Sequence, residues 1–365
     1  MKIYISIILL LLAGVVFIAS RGEDKSASQG FNLAPAVSSS AANSVSSSSS
    51  ASPAPADLAE GEIWENGQKY FVLNVPNSAN LLSPEIFMAG EENGFFAENG
   101  IKLNYVGAVP NPQAIPSVLK GIIHVNSGGH VNTTISAISA GAKIKAVSAK
   151  TETTERIPHM VAIVKKDSQI KTATDLVGKK FASTTSQGCS GYFHLAYMKK
   201  NGIPDVKNAS ELVVLKEQVI EQALRQGDIN IGLMHKNPID YVTNDEFDVI
   251  FTDYDIWENR GGGVLFYLSL DFINKRPDIV RKFVDTMART VNWANAHPQE
   301  NREITARRFK ADINVVKEAY YAPNAIILPE TVTVWVDLLK EFKEIPGDVP
   351  LEKIYTNEFN PYFKG

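Results

Sequence analysis

From residue 63 onward, apolar and polar positions fall into two blocks that alternate strand and helix periodicities. In the first, Lys69 to Val75 reads as a strand, Pro84 to Glu98 as a helix stopped by Asn99-Gly100, and Lys102 to Val106 as a strand. Ile122 to Asn126 reads as a short strand. A helix with Val131, Ile135 and Ile138 at helical spacing follows, stopped at Gly141, and then a strand over Lys143 to Ser148. The second block opens with a strand at Met160 to Val164 and the strand–loop–helix unit Gly178 to Gly202. Strand Glu211 to Leu215 comes next, then a helix with Val219, Ile220, Ala223 and Leu224 on one face, ended by Gly227. Strands at Ile229 to Leu233 and Asp248 to Thr252, with a helix at Pro238 to Val242 between them, complete it. The βαβα order predicts an α/β fold with a largely parallel sheet.

Between the blocks lies the polar run 151–156, ending at Pro158; a second connection, Asp253 to Arg260, ends in Gly261-Gly262-Gly263. Beyond it come a strand (Val264 to Leu270) and helices. Their stripes are Val280, Phe283, Val284, Met287, Val291, Ala294 and Val334, Trp335, Leu338, Leu339, Phe342. This part has no sheet of its own, so the economical topology returns the chain to the first block. Two α/β lobes joined by two crossings form a hinged cleft: 63–152 plus 258–365 as lobe I, and 153–257 as lobe II.

Composition changes the picture mainly at the N-terminus. Lys2 precedes a nearly unbroken apolar run, Ile3 to Ala19, which predicts an export signal or N-terminal anchor over 1–20. Position 20 is Ser, so the run lacks the cysteine of a lipoprotein box. Residues 21–62 are rich in Ser, Ala and Pro and read as a disordered tether. The net charge of −4 over 365 residues contains no block of like charges and gives nucleic-acid binding no electrostatic support. The single cysteine, Cys189, excludes an intrachain disulfide and a cysteine-rich metal site.

Candidate chemistry gathers in loops after strands, where open α/β sheets hold ligands. The loop Thr184 to Ser190 offers hydroxyls, an amide and free backbone N–H groups at a helix N-terminus, which suits an anionic or electron-rich group; an ordinary N-cap loop has the same composition. A pseudo-repeat adds histidines. Leu119-Lys120-Gly121 runs through a short strand to Gly129-His130, and Arg225-Gln226-Gly227 runs likewise to Met234-His235. His130 and His235 are thus placed to face one another across the cleft, as solute donors, metal ligands or plain loop residues.

From Lys69 to Phe309 the chain resembles the solute-binding proteins of ABC importers for nitrate, aliphatic sulfonates and taurine, with the thiamine-pyrimidine-precursor binding proteins. The resemblance rests on Phe87 to Ile101 (an A-x-x-x-G-x-F-x-x-x-G-like helix), Ala140-Gly141-Ala142, Ala173 to Lys180, Gln222 to Ile229 and Asn274 to Phe283, in that order. It implies a type II periplasmic-binding-protein fold, an exported location, capture of a small solute as a monomer, and delivery to an ABC importer permease. It implies no catalysis and no cofactor. It places ligand contacts in four stretches: Asn77, Ser78 and Asn80; Gly129 and His130; Ser186, Gln187, Gly188, Cys189 and Ser190; His235 and Asn237. Arg260, beside three glycines, is placed to pair with an anionic group or to form a hinge salt bridge.

Two other classes compete. Fungal pyrimidine synthases share the implied fold, but their cysteine-rich motif is missing here and no catalytic triad order or phosphate-binding motif appears. A transition-metal or metal-complex binder is the second. His124, His130, His194 and His235 lie in or beside the loops, but only His130 and His235 are well placed, and two ligands make a poor closed site. The sequence therefore favours an anionic or organic solute over a metal. The body is predicted to begin near Ile63, so deleting everything before it should leave the thermal unfolding curve unchanged; a clear loss of midpoint would show that the tether boundary lies earlier.

Overall fold

A computed structural model describes residues 58–77, 85–126, 128–242 and 245–364. The strands are β1 (Glu62–Glu65), β2 (Gln68–Asn77), β3 (Ile101–Ala108), β4 (Gly129–His130), β5 (Ile144–Thr151), β6 (Val161–Lys165), β7 (Lys180–Ser183), β8 (Glu211–Val214), β9 (Ile231–Met234), β10 (Phe247–Thr252) and β11 (Val264–Ser269). They make three sheets, ordered β1-β2-β3, β4-β11-β5 and β10-β6-β9-β7-β8. The Ser/Ala/Pro-rich tether up to residue 57 and the apolar run lie outside the described residues, as do Ser78 and Asn80. Among the described residues no helix is long and apolar enough to cross a membrane.

The sheets are mixed rather than largely parallel. β2 pairs β3, and β7 pairs β8 and β9, in parallel. Yet β6 runs antiparallel to β9 and β10, and β11 antiparallel to β4 and β5. The cause is topological. The chain leaves one half along β5 and enters the other along β6, then leaves along β10 and returns along β11. Strands that carry the chain in and out side by side must run in opposite directions. β1 adds an antiparallel hairpin through Asn66-Gly67, whose positive φ values (53° and 76°) are what a two-residue turn of this hand needs.

Most predicted elements form. The predicted helix over Pro84 to Glu98 is two, Ile86–Glu92 and Phe95–Glu98, split where Gly94 takes φ 74°. The predicted strand Ile122 to Asn126 reduces to one bridge, Val125 to Leu268. There, side chains replace the ladder: Asn126 Oδ1 accepts from Tyr267 N (2.9 Å), and Asn74 N donates to His124 Nδ1 (2.8 Å). The helix Asn111–Leu119 carries Pro112 and Pro116, which hid it from periodicity.

One apolar cluster sits under β2 and β3. Phe71, Leu73 and Val75 point into it, and the helix Pro277–Ala296 covers it with Val280, Phe283, Val284, Met287 and Val291. Burying each such side chain is worth about 1.5–3 kcal/mol. A second cluster joins β6, β7 and β9 to the helix Glu217–Gln226, whose Ile220 packs so tightly on Gly232 that a Cβ there would lie 2.7 Å from it. A third runs between the halves, from Ile135 and Ala146 through Phe181 and Phe193 to Trp335 and Leu339.

The body begins before Ile63. Glu62 is held by Arg276 (2.9 Å) and Lys69 (3.2 Å), with its carboxylate nearly buried, and the Arg276 guanidinium lies 4.8 Å over the Phe71 ring. A chain starting at residue 58 should therefore melt like the full chain. A chain starting at Ile63 should lose about 1–3 kcal/mol, the cost of stripping a partner from a mostly buried charged group. Equal midpoints for the two truncations in a calorimetric scan would contradict this pairing.

Candidate functional site

A cavity of about 700 Å³ opens between the half built on β6–β10 and the half built on the other strands. One side contributes Lys150, Glu152 and Lys317; the other contributes Thr184, Glu217 and His235, with His159 from the first crossing. Hydrogen bonds span the cleft: Asn132 Nδ2 donates to the Gln187 carbonyl (3.1 Å), and Asn237 Nδ2 to the Glu318 carbonyl (3.1 Å).

The predicted residues separate into groups. His235 and Asn237 line the cavity. Asn77 is exposed at the end of β2, outside the lining, and Gly129 packs against the Tyr267 ring. In the Thr184 to Ser190 loop, the hydroxyls of Thr185 and Ser190 serve the loop itself. Ser183 Oγ donates to the Thr185 carbonyl (2.8 Å) and lies 2.6 Å from Ser190 Oγ. Thr185 Oγ1 accepts from Gln187 N and Gly188 N (3.2 and 3.3 Å), and Ser190 is fully buried. Ser186, Gln187, Gly188 and Ser190 are not among the lining residues. Gly191 is required there, since a Cβ would lie 2.3 Å from the Ser186 carbonyl oxygen. Arg260 turns to its own segment: Nε donates to the Trp257 carbonyl (3.0 Å), and the guanidinium lies 3.7 Å from Glu258.

What the fold does assemble is a cluster of imidazoles around one thiol. Cys189 Sγ lies 3.3 Å from His235 Nε2 and 3.5 Å from His159 Nε2. A ring nitrogen of His130, one of His159 and the Cys189 sulfur all fall within 4.8 Å of one another. The His159 ring is 5.1 Å from each of the His130 and His235 rings. His130 occupies the N-cap position of the helix Val131–Ser139, Cys189 opens the helix Cys189–Lys200, and His235 follows β9. His159 was missed in the sequence because it sits in what reads as a polar connection. Its one signal is a position directly between Pro158 and the apolar strand.

Burial sets the charge states. Desolvation lowers His130 to about 4, holds His159 well below the usual histidine range and lowers His235, against the pull of Glu217. The same effect pushes the Cys189 thiol up to about 12 and Glu152 up to about 7, and lowers Lys317 to about 8. Lys317 Nζ and His130 Nε2 are enclosed without a hydrogen-bond partner. At neutral pH the site thus offers neutral imidazoles with free lone pairs, not imidazolium cations. His124 and His194 lie elsewhere: His124 is wedged against Phe71 and Phe272, and His194 is buried against Phe181.

Mixed sheets in two halves, joined by two crossings around a cleft, make the type II periplasmic-binding fold. Residues 85–301, more than half of the chain, match the family described as NMT1/THI5 like, and the chain belongs to that family. No curated protein sequence matches the chain. Among solved structures, the periplasmic aliphatic sulphonate binding protein SsuA from Escherichia coli superposes with TM-score 0.62 at 16% identity, over 77% of this chain and 91% of that chain. A ligand-binding component of an ABC-type import system from Staphylococcus aureus, with zinc bound, gives 0.63 at 13%, over 80% and 98%. The desulfurization enzyme DSZB gives 0.55 at 15%, over 79% and 97%.

Histidines buried in the neutral form make the fold acid-labile. For His194, burial lowers the folded-state value to about 3 against about 6.5 when unfolded. The stability it contributes is present above about pH 6.5 and is lost as pH falls toward 3. His194→Phe, which keeps an aromatic ring on Phe181, should flatten the fall in unfolding midpoint between pH 7 and pH 4.5. Parallel curves for the two proteins would remove His194 as a cause.

Proposed function

We propose that this protein is an extracytoplasmic solute-binding protein. It captures a small solute between lobe I (63–152 plus 258–365) and lobe II (153–257) and hands it to the membrane permease of an ABC importer. The observation that carries this reading is the cavity itself. It lies where the chain crosses twice, is lined from both halves, and gathers enclosed polar groups that have no partner of their own. Such a site is completed by a ligand, and hinge closure is how this architecture completes it. The names of the structural relatives support import and a periplasmic location, reached through the apolar N-terminal run. Capture needs neither nucleic acid nor a second copy of the chain.

The solute class is open to two readings. A sulfonate-, nitrate- or taurine-like anion fits the names of several relatives, and Lys317 could meet its charge. A transition metal is favoured by the neutral imidazoles beside Cys189. Catalysis has less support although DSZB shares the fold. Cys189, His235 and Glu217 follow one another as a nucleophile, base and orienting group would, but burial keeps the thiol protonated and the sulfur is not part of the cavity lining.

The test is native mass spectrometry of the protein as purified, followed by small-angle scattering and thermal unfolding with and without what co-purifies. The expected result is one small solute per chain, a smaller radius of gyration and a higher midpoint. A solute that binds while changing neither quantity would rule out capture by closure.

A further inference from the structure

Resting on the capture reading above, we infer that His130, His159 and Cys189, with His235 beside the sulfur, form a transition-metal site in the wall of the cleft, and that its cargo is a thiophilic ion of the zinc or copper class.

Four observations point there. The first is spacing. With zinc–sulfur bonds of about 2.3 Å and zinc–nitrogen bonds of about 2.0–2.1 Å, neighbouring donors on a tetrahedron sit roughly 3.5 Å apart. The Cys189 sulfur stands 3.3 and 3.5 Å from two imidazole nitrogens. The second is convergence. Two Nε2 atoms reach one sulfur, which in the thiol form donates S–H to one ring and accepts N–H from the other. A cation in place of that proton would draw on the same converging atoms.

The third is how the rings are held. His130 Nδ1 lies 2.8 Å from Asn132 Oδ1, and Asn132 Nδ2 donates to the Gln187 carbonyl, which fixes the amide so that Oδ1 faces the ring. Of the two contacts at His130 Nδ1, the 2.8 Å one to Asn132 Oδ1 is far shorter than the 3.5 Å one from Asn132 N, so it places the proton on Nδ1 at the expense of a helix cap. Nε2 keeps its lone pair, enclosed and without a hydrogen-bond partner. Glu217 accepts from His235 N (2.8 Å), which fixes the carboxylate beside the ring, and its other oxygen lies 3.8 Å from His235 Nδ1, beyond hydrogen-bond reach but on the side where a carboxylate supports a ligating imidazole.

The fourth is placement. His130 belongs to the half that carries β4, while Cys189 and His235 belong to the half that carries β7 and β9, with His159 on the crossing between. An ion held by His130, His159 and Cys189 ties the halves together, which is what closure on a cargo requires. On binding, the Cys189 S–H bond breaks, a sulfur–metal bond forms, and the proton leaves to solvent; nothing is oxidised or reduced. Soft thiolate with imidazole selects zinc or copper(I) over magnesium or calcium.

The test uses the full chain, stripped with a chelator and titrated with cobalt(II) as an optical stand-in for zinc. The expected result is one cobalt per chain with a thiolate-to-cobalt charge-transfer band, displaced by one equivalent of zinc, and a zinc-dependent rise in unfolding midpoint. Cys189→Ser should abolish the band. His159→Ala should weaken binding by more than the roughly 10–100-fold that losing an outer partner costs, and Glu217→Gln by about that range. Should a variant fail to fold, X-ray absorption at the zinc edge of the wild-type protein decides: one sulfur with two or three nitrogens supports the site, and a shell without sulfur overturns it. No stoichiometric metal, or binding indifferent to Cys189→Ser and His159→Ala, also overturns it. If the stripped protein then still tightens on an organic solute, the metal inference fails while capture stands; if nothing raises its midpoint, capture fails as well.

Discussion

Everything the cleft can do depends on how closely the returning crossing packs against the outgoing one. Asp253, buried at the end of β10, accepts hydrogen bonds from the Thr153 hydroxyl and from Met160 N (2.9 Å), so one carboxylate holds both sides of the first crossing. Burial raises this carboxyl to about 6 even against those bonds. The three glycines that follow make the approach possible. A Cβ on Gly262 would lie 2.0 Å from Thr153 Oγ1 and 2.8 Å from His159 Cβ; one on Gly263 would lie 2.3 Å from Thr331 Cγ2. None of the three needs a positive φ, so the demand is for space. That contact sets where His159 stands.

The other wall of the cluster is aromatic. Trp335, on the helix Pro329–Glu341, meets the His130 ring edge-on at 4.7 Å and donates its indole N–H to the Gly261 carbonyl (2.9 Å). It also packs on Trp257 at 4.9 Å, while Phe342 stacks on Tyr192 of the opposite half at 6.0 Å. A single C-terminal helix thus braces a ring of the cluster, the glycine crossing and the far half. Aromatic packing of this kind is directional, so it fixes ring orientation as well as burying area.

Periodicity made most of the fold legible, because amphipathic helices such as Pro277–Ala296 and strands such as β2 announce their buried faces locally. It failed where local signals were replaced by long-range ones. Ile122 to Asn126 has strand composition, but Asn126 spends its side chain on the Tyr267 backbone. The Thr184 to Ser190 loop has the composition of an anion site, but its hydroxyls close on one another. His130 and His235 were visible as loop histidines after strands. Their meeting with Cys189 was not, because it needs His159, whose position is set by a glycine more than a hundred residues later in the chain.

The charge states carry the last step. An anion-binding cleft gains from cations or from N–H donors aimed inward. Here burial keeps three imidazoles neutral, and the Thr185 and Ser190 hydroxyls are taken up within the loop, which leaves such cavity groups as Lys317 and Thr184 for an anion. A thiol held protonated among lone pairs is a poor nucleophile and a poor anion host. A cation shared by these lone pairs would offset the desolvation that each buried group bears. Because its donors would come from both halves, the gain would be realised only with the cleft shut, and on the metal inference capture and closure would be one equilibrium drawn from the same few side chains.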